Sequence, residues 1–400
     1  MTKINPLILK WARETAGLSI EEACEKLAIK DTKLFHATEK LIALESGELE
    51  PTRTLLEIMV KKYHRPLIVF YMPDIPQPGN RGQDFRTLPP NYSSETIAIV
   101  DTLIRDIQVR QNIVRSALED DDEIPSLQFI NSMTINDGIS QVLQKIIQLL
   151  DFNLENYRRK TNSNEAFTYL RTKIEDKGVF VLLIGDLGSH HTEIGLDFFR
   201  GFSLADDIAP FIVINDKDAK SAWSFTLIHE FVHLLLGQTG ISGQYSDSEI
   251  EQFCNDIASE ILLPKVEILE FRNIHTLEKE ELIDKITRFA YARKVSSSML
   301  AYKLFRCNYI SKQLWMELSI TYKNLWLLNK EVEKNKLKNK NGGPDYYVLR
   351  RSHVGLNLIS LVQRMMITGS ISSTKAGRVL GVNAKNIQNM FDFKGQHVRN

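Results

Sequence analysis

The 400-residue sequence predicts an α+β fold, mainly helical, with one small mixed sheet and helical domains on both flanks. Two observations carry this. Apolar residues recur at helical spacing over most of the chain, with capping residues ahead of several runs. The strand-like runs VFVLLIG, FRGFSL and PFIVIN, by contrast, are short and confined to one stretch between residues 179 and 215. Hydrophobic residues make up 43% of the chain, enough for a sizeable core, and the length suggests roughly two to four domains.

Taken in order, residues 1–75 read as a helix-turn-helix-like domain. Leu7, Trp11, Ala12 and Leu18 space like one helix face. Ser19 and Glu22 match a capping box, so a helix is expected from about Ile20. A third apolar stripe, Leu41, Ala43 and Leu44, ends at Ser46-Gly47. Leu55, Leu56, Met59 and Val60 open a fourth helix after Pro51. Residues 76–160 read as a linker rich in Pro and Gly followed by a helical connector, with a long helix from about Ser93 to Leu118. Residues 161–325 hold the three strands, a helix from about Ala219 to Leu236 and another from about Ser248 to Leu263, stopped by Pro264. Residues 326–400 read as a basic helical domain; the Lys/Asn-rich stretch from Lys330 to Asn341 ends in Gly-Gly-Pro, a boundary signal.

Formal net charge is zero, so no global field favours a polyanion. The balance hides an asymmetry: from Lys330 to Asn400 there are thirteen Lys/Arg against four Asp/Glu. Cys24, Cys254 and Cys307 are odd in number and far apart, which predicts free core thiols and a reducing, cytoplasmic setting. No run is long and apolar enough to span a bilayer, and no secretory leader is apparent, so a membrane role is not expected.

The sharpest signal is His229-Glu230-Phe231-Val232-His233. Residues four apart share a helix face, so His229 and His233 can each direct a ring nitrogen at one metal ion. Glu230 is rotated by about a hundred degrees, which suits it to a water beside the metal rather than to the metal itself. The flanks FTLI and LLL are apolar, which predicts a buried helix whose polar groups need partners. A catalytic zinc takes three protein ligands. The third could be His190 or His191 upstream, or a carboxylate from the next helix, Glu249, Glu251 or Asp256. Glu251 is preferred: Asn255 follows one helical turn on and could hydrogen-bond around the site, and the glycines at 237, 240 and 243 permit the reversal between the two helices. Tyr245, His190 and His191 are candidates for stabilising an oxyanion. PFIVIN is a candidate sheet edge for pairing with an extended substrate.

These residues resemble the ImmA/IrrE zinc metallo-endopeptidases with an N-terminal Xre-type helix-turn-helix domain. FRGFSLADDIAPFIVIN, FTLIHEFVHLLLG and EIEQFCNDIASEILLP carry the likeness, from about Phe198 to Pro264, with Cys254 where the family usually has Ala and Ile257 where it has Phe. The N-terminal unit resembles the Xre module through LSIEEACEKLAI and the segment from Leu41 to Pro73, although KDTKLFHATEK is longer than the usual turn; DFRTLPP resembles the connector, and residues 343–391 the tail of larger members. The resemblance implies a zincin-like sheet packed on the motif helix, one zinc ion on His229, His233 and Glu251, and Glu230 as general base. It implies a protein substrate, a transcriptional repressor or antitoxin-like regulator, whose cleavage controls gene expression.

DNA is a further partner to weigh. Residues 1–75 hold eleven Lys/Arg and eleven Asp/Glu, and the expected recognition helix, around Ala37 to Ser46, contains Glu39 and Glu45, which suits protein docking better than phosphate. The C-terminal segment from Ser370 to Ile387 has helix-turn-helix spacing, with Lys375, Arg378 and Lys385 as DNA-binding candidates. The rival to an enzyme is therefore a DNA-binding regulator, or an antitoxin-like interaction protein, whose zinc fold serves as sensor or scaffold.

Overall fold

A computed structural model describes residues 3–32, 35–76, 94–119, 126–188, 192–242, 248–272, 274, 278–338 and 345–392. The chain divides into two compact units, one formed by Met1–Asp106 with Asp186–Ile194, the other by Ile107–Gly185 with Gly195–Asn400.

In the first unit, helices α1 (Pro6–Thr15), α2 (Ile20–Lys26), α3 (Ala37–Ser46) and α4 (Arg53–Lys62) lead to a 3-10 turn at Leu67–Tyr71. The capping box forms as expected: the Ser19 side chain accepts from the Glu22 N–H while the Glu22 carboxylate accepts from the Ser19 N–H. Gly47 ends α3 in the left-handed region. The α1 face differs from the sequence expectation. Leu7 is 65% exposed, and the buried stripe is Ile8, Leu9 and Ala12 with Arg13. The Asn5 cap and Pro6 set the phase of the helix, and Arg13 enters the core because Glu45 meets its guanidinium at 2.7 and 3.0 Å.

The long helix α5 (Ser94–Glu119) spans the division between the units. In the second unit, α6 (Gly138–Leu150), α7 (Leu154–Arg158) and α8 (Ser163–Glu175) precede strands β1 (Phe180–Leu183), β2 (Gly201–Leu204) and β3 (Phe211–Ile214). Helix α9 (Lys220–Leu235), strand β4 (Gly240–Ser242) and helix α10 (Glu249–Leu262) follow, then a 3-10 segment at Lys265–Phe271 and helices α11 (Lys279–Ala292), α12 (Ser297–Arg306) and α13 (Lys312–Lys338). Helices α14 (Tyr346–Val354), α15 (Leu356–Ile367), α16 (Ser373–Leu380) and α17 (Gln388–Phe391) complete the described chain.

The sheet is mixed, in the order β1-β3-β2-β4, with β1 parallel to β3 and the other pairs antiparallel. This corrects one expectation: β3, the PFIVIN strand, is interior and has both of its edges paired, so it cannot accept a substrate strand. Its uniform burial explains why; a strand covered on both faces reads as a continuous apolar run, which is not the pattern of an edge. Helix α9 packs against β2 and β3 on one side and against α8 and α10 on others. It is buried nearly all round, from Ala222 to Leu235, and forms the centre of a single large apolar core with Phe129, Phe167, Ile212 and Ile257.

Candidate metal centre

Two helices supply the site. On α9, the i, i+4 spacing places His229 and His233 on the face toward α10, and their Nε2 atoms lie 3.1 Å apart. On α10, Ser248 caps the first turn, its Oγ accepting from the Glu251 N–H at 3.2 Å, so Glu251 sits at the third helical position with its side chain turned toward α9. Glu251 Oε2 is 3.2 Å from His229 Nε2, and Oε1 is 3.2 Å from His233 Nε2. The three side chains are thus brought to one point, and all are buried: relative exposure is 4% for His229, 3% for His233 and 7% for Glu251.

The chemistry of this donor set fits zinc. A tetrahedral centre with bonds of about 2.0–2.1 Å has edges of roughly 3.3–3.4 Å, close to the three separations found here. Two imidazole nitrogens and a carboxylate form a hard-to-borderline N₂O set, and three protein donors leave one tetrahedral position open. Two lone-pair nitrogens facing each other at 3.1 Å in a buried setting need a cation or a shared proton between them. Electrostatics point the same way. Burial pushes the Glu251 carboxyl up, but the hydrogen bonds and charges of His229 and His233 outweigh it and hold it down at about 2, so Glu251 remains an anionic donor.

Glu230 projects about a hundred degrees around α9 from His229 and is completely buried. It looks onto β2. A Cβ placed on Gly201 would come within 2.6 Å of Thr226 Cγ2 and 2.9 Å of Glu230 Oε1, so the strand approaches the carboxylate as closely as glycine alone allows.

The remaining candidates separate clearly. Glu249 is exposed on the first turn of α10. Asp256 is engaged by Arg306, at 2.6 and 3.1 Å, and turns away from the metal donors. Asn255 sits one turn beyond Glu251 and is half-buried. His190, His191 and Tyr245 lie outside the described residues. Lys375, Arg378 and Lys385 are exposed on the C-terminal helices and belong to a different surface. The three cysteines are free, Cys24 and Cys254 buried and Cys307 partly so.

Two supporting residues escape sequence reasoning. Gln238 Oε1 lies 3.3 Å from His233 Nδ1, so the ring donates there and presents Nε2 as a lone pair. The only sequence signal was Gly237, which ends α9 in the left-handed region and folds Gln238 back until its N–H reaches the His233 carbonyl at 2.9 Å. Gly201 is the other; a glycine inside a strand marks a close approach, but nothing in the sequence says to what.

Comparison with known families adds one finding. Residues 190–305 match the model of Peptidase_M78, the IrrE N-terminal-like domain. The matched span includes β2, β3, α9, β4, α10, α11 and nearly all of α12, and so all three metal donors and Glu230. It points to a metallopeptidase type of activity acting on a protein. No curated protein and no solved structure matches the chain. Among the described residues, no helix is long and apolar enough to cross a membrane.

Proposed function

We propose that the chain is a zinc-dependent endopeptidase of the ImmA/IrrE type, acting in the cytoplasm on a transcriptional repressor or antitoxin-like regulator and thereby controlling gene expression. The observation that carries this reading is the convergence of His229, His233 and Glu251 on one point, with a fully buried carboxylate, Glu230, beside the first of them. A structural zinc site closes with four protein ligands, whereas three donors and an adjacent acid match the catalytic arrangement.

His229 and His233 would hold the ion through Nε2, and Glu251 through a carboxylate oxygen. When bound, zinc supplies a Lewis acid that polarises the scissile carbonyl and lowers the pKa of a coordinated water to about 7. Glu230 takes the proton of the attacking water on a carboxylate oxygen and hands it to the leaving amine nitrogen, a contribution of roughly 10²–10⁴-fold in rate. Its burial between α9 and β2 keeps bulk water from competing for that proton. Gln238 fixes the tautomer of His233, and Asn255, one turn beyond Glu251 on α10, would support that carboxylate. With β3 interior, β4 at the end of the sheet offers the backbone edge to which an extended substrate would add.

The test is to incubate the purified protein with regulators encoded beside its gene, with and without a zinc chelator. One of them should be cut at a defined bond, cutting should stop with chelator and return with zinc, and Glu230→Gln should lower the rate by at least about a hundredfold. Cleavage that survives in Glu230→Gln would sink the assignment of the base.

A further inference from the structure

We infer that the C-terminal helices form a second functional surface, one that docks in the major groove of double-stranded DNA through residues 384–391. Helix α16 ends at Gly381, which takes the left-handed conformation at φ 64° and ψ 38°. Three residues, Gly381, Val382 and Asn383, then turn the chain into a right-handed helical run that starts as a 3-10 turn at Ala384–Asn386 and continues through Ile387 into α17. The Asn383 side chain caps it, accepting from the Lys385 N–H at 3.1 Å. The turn packs so tightly against α16 that it requires glycine within that helix. A Cβ on Gly377 would lie 2.8 Å from the Val382 carbonyl oxygen and 3.1 Å from the Ala384 nitrogen. Two short helices joined by a three-residue turn and locked at this distance are the helix-turn-helix arrangement, in which the second helix enters the major groove.

The two faces of the motif are sharply different. Ala376, Val379, Leu380, Ile387, Met390 and Phe391 are buried, against α14 and α15. Lys385, Asn386, Gln388 and Asn389 are exposed on the second helix. Their i, i+3 and i+4 spacing puts a cation and three amides on one outward side. Amide side chains pair with adenine through two hydrogen bonds in the major groove, and a lysine at the edge meets phosphate. Lys375 and Arg378 extend the basic surface along α16. Residues 345–392 contain six Lys/Arg and two Asp/Glu, and the two acids, Asp345 and Asp392, stand at the ends. The scaffold behind the motif is held by arginines: Arg350 donates to the Leu380 carbonyl at 3.0 Å and Arg351 to the Asn389 carbonyl at 2.7 Å.

The N-terminal helices lack these features. The α3 face that would meet DNA carries Glu39, whose carboxylate caps the His36 N–H at 2.9 Å, and exposed Ile42, while Glu45 is committed to Arg13. The nucleic-acid surface therefore belongs to the C-terminal helices. Duplex DNA is favoured over duplex RNA because the A-form major groove is too narrow to admit a helix. The inference does not depend on peptidase activity.

The experiment is fluorescence anisotropy of the full-length protein with a labelled random-sequence DNA duplex of about 30 bp, titrated over a series of salt concentrations. Wild type should bind saturably, with log K falling linearly in log salt. Lys375→Ala/Lys385→Ala should bind at least about tenfold more weakly at ~100 mM salt, with a slope shallower by about 1.8, or 0.9 per lost phosphate contact. Lys375→Arg/Lys385→Arg should restore binding. Lys330→Ala/Lys336→Ala, the same loss of charge on α13, should match wild type. Selection from the random pool should enrich a sequence with wild type and not with Asn386→Ala/Asn389→Ala. Melting temperatures of all variants report folding separately. Absence of duplex binding at low salt, equal loss in the α13 variant, or tighter binding to duplex RNA or to a protein than to duplex DNA each overturns the inference.

Discussion

Glu230 has no contact with solvent, and its neighbours decide what it can do. The helix turns it roughly a hundred degrees from His229, toward β2, where Gly201 leaves it room. That packing yields a residue-scale prediction. Gly201→Ala inserts a methyl where Thr226 and Glu230 already stand, which costs about 1–3 kcal/mol of stability. Displacement of Glu230 should slow cleavage by about tenfold to a hundredfold while zinc content stays at the wild-type level. A variant that cuts at the wild-type rate would show that the Gly201–Glu230 approach has no part in catalysis. At this scale the sequence was most informative: His229, Glu230 and His233 are legible because helix geometry ties their spacing to their chemistry. Glu251 is the preferred third donor in the sequence, ahead of Glu249, Asp256 and the upstream histidines. What separates it from Glu249 and Asp256 is long-range: exposure for the first, and Arg306, fifty positions away, for the second. Gln238 and Gly201 were not legible, since their roles depend on which residues the fold brings to them.

The helices owe their placement to their ends. Ser248 opens α10 and holds the Glu251 N–H, so the cap and the third metal donor are one local device. Ser248→Ala should therefore cost about 1 kcal/mol, which corresponds to roughly fivefold in zinc affinity if it falls on placement of Glu251. Competition with a chromogenic chelator measures it; an unchanged affinity with lowered stability would mean that the cap supports the helix alone. Serine caps open α2 and α10, and the apolar run around the motif marks α9, so all three were readable to within a residue or two. Phase and partners were harder. The α1 stripe was misjudged because Leu7 is apolar yet outside, while Arg13 is charged yet inside, paired with Glu45. The PFIVIN strand was recognised as a strand but not as an interior one, because burial on both faces erases the alternation that would locate an edge. Strand β4 is three residues long and rich in nothing that marks a strand. The polar composition from Lys330 onward suggested a boundary, yet α13 continues to Lys338, since lysine and glutamate are good helix formers whether or not they are packed.

At the level of the whole molecule, metal binding and folding are linked. The donors come from two helices that meet in the main core, so an ion that binds only the folded state stabilises it, by about 4 kcal/mol when free zinc exceeds its Kd about a thousandfold. Chelation should lower the melting temperature by several degrees, and zinc should restore it. The same treatment of His233→Ala should produce no shift; an equal shift in that variant would place the stabilising ion elsewhere. The fold class, a small mixed sheet within a helical chain, was accessible from the sequence because its strand runs were so localised. The order of the strands was not, because β-pairing is set by contacts distant in the chain.

The central claim is that His229, His233 and Glu251 hold one zinc ion while Glu230, though adjacent, is not a ligand. Zinc stoichiometry and affinity, measured on wild type and on single variants by metal analysis and titration, test it most directly. Wild type and Glu230→Gln should each bind one zinc with similar affinity, and His229→Ala, His233→Ala and Glu251→Ala should each bind at least about a hundredfold more weakly. Full zinc retention in Glu251→Ala, or its loss in Glu230→Gln, would contradict the account.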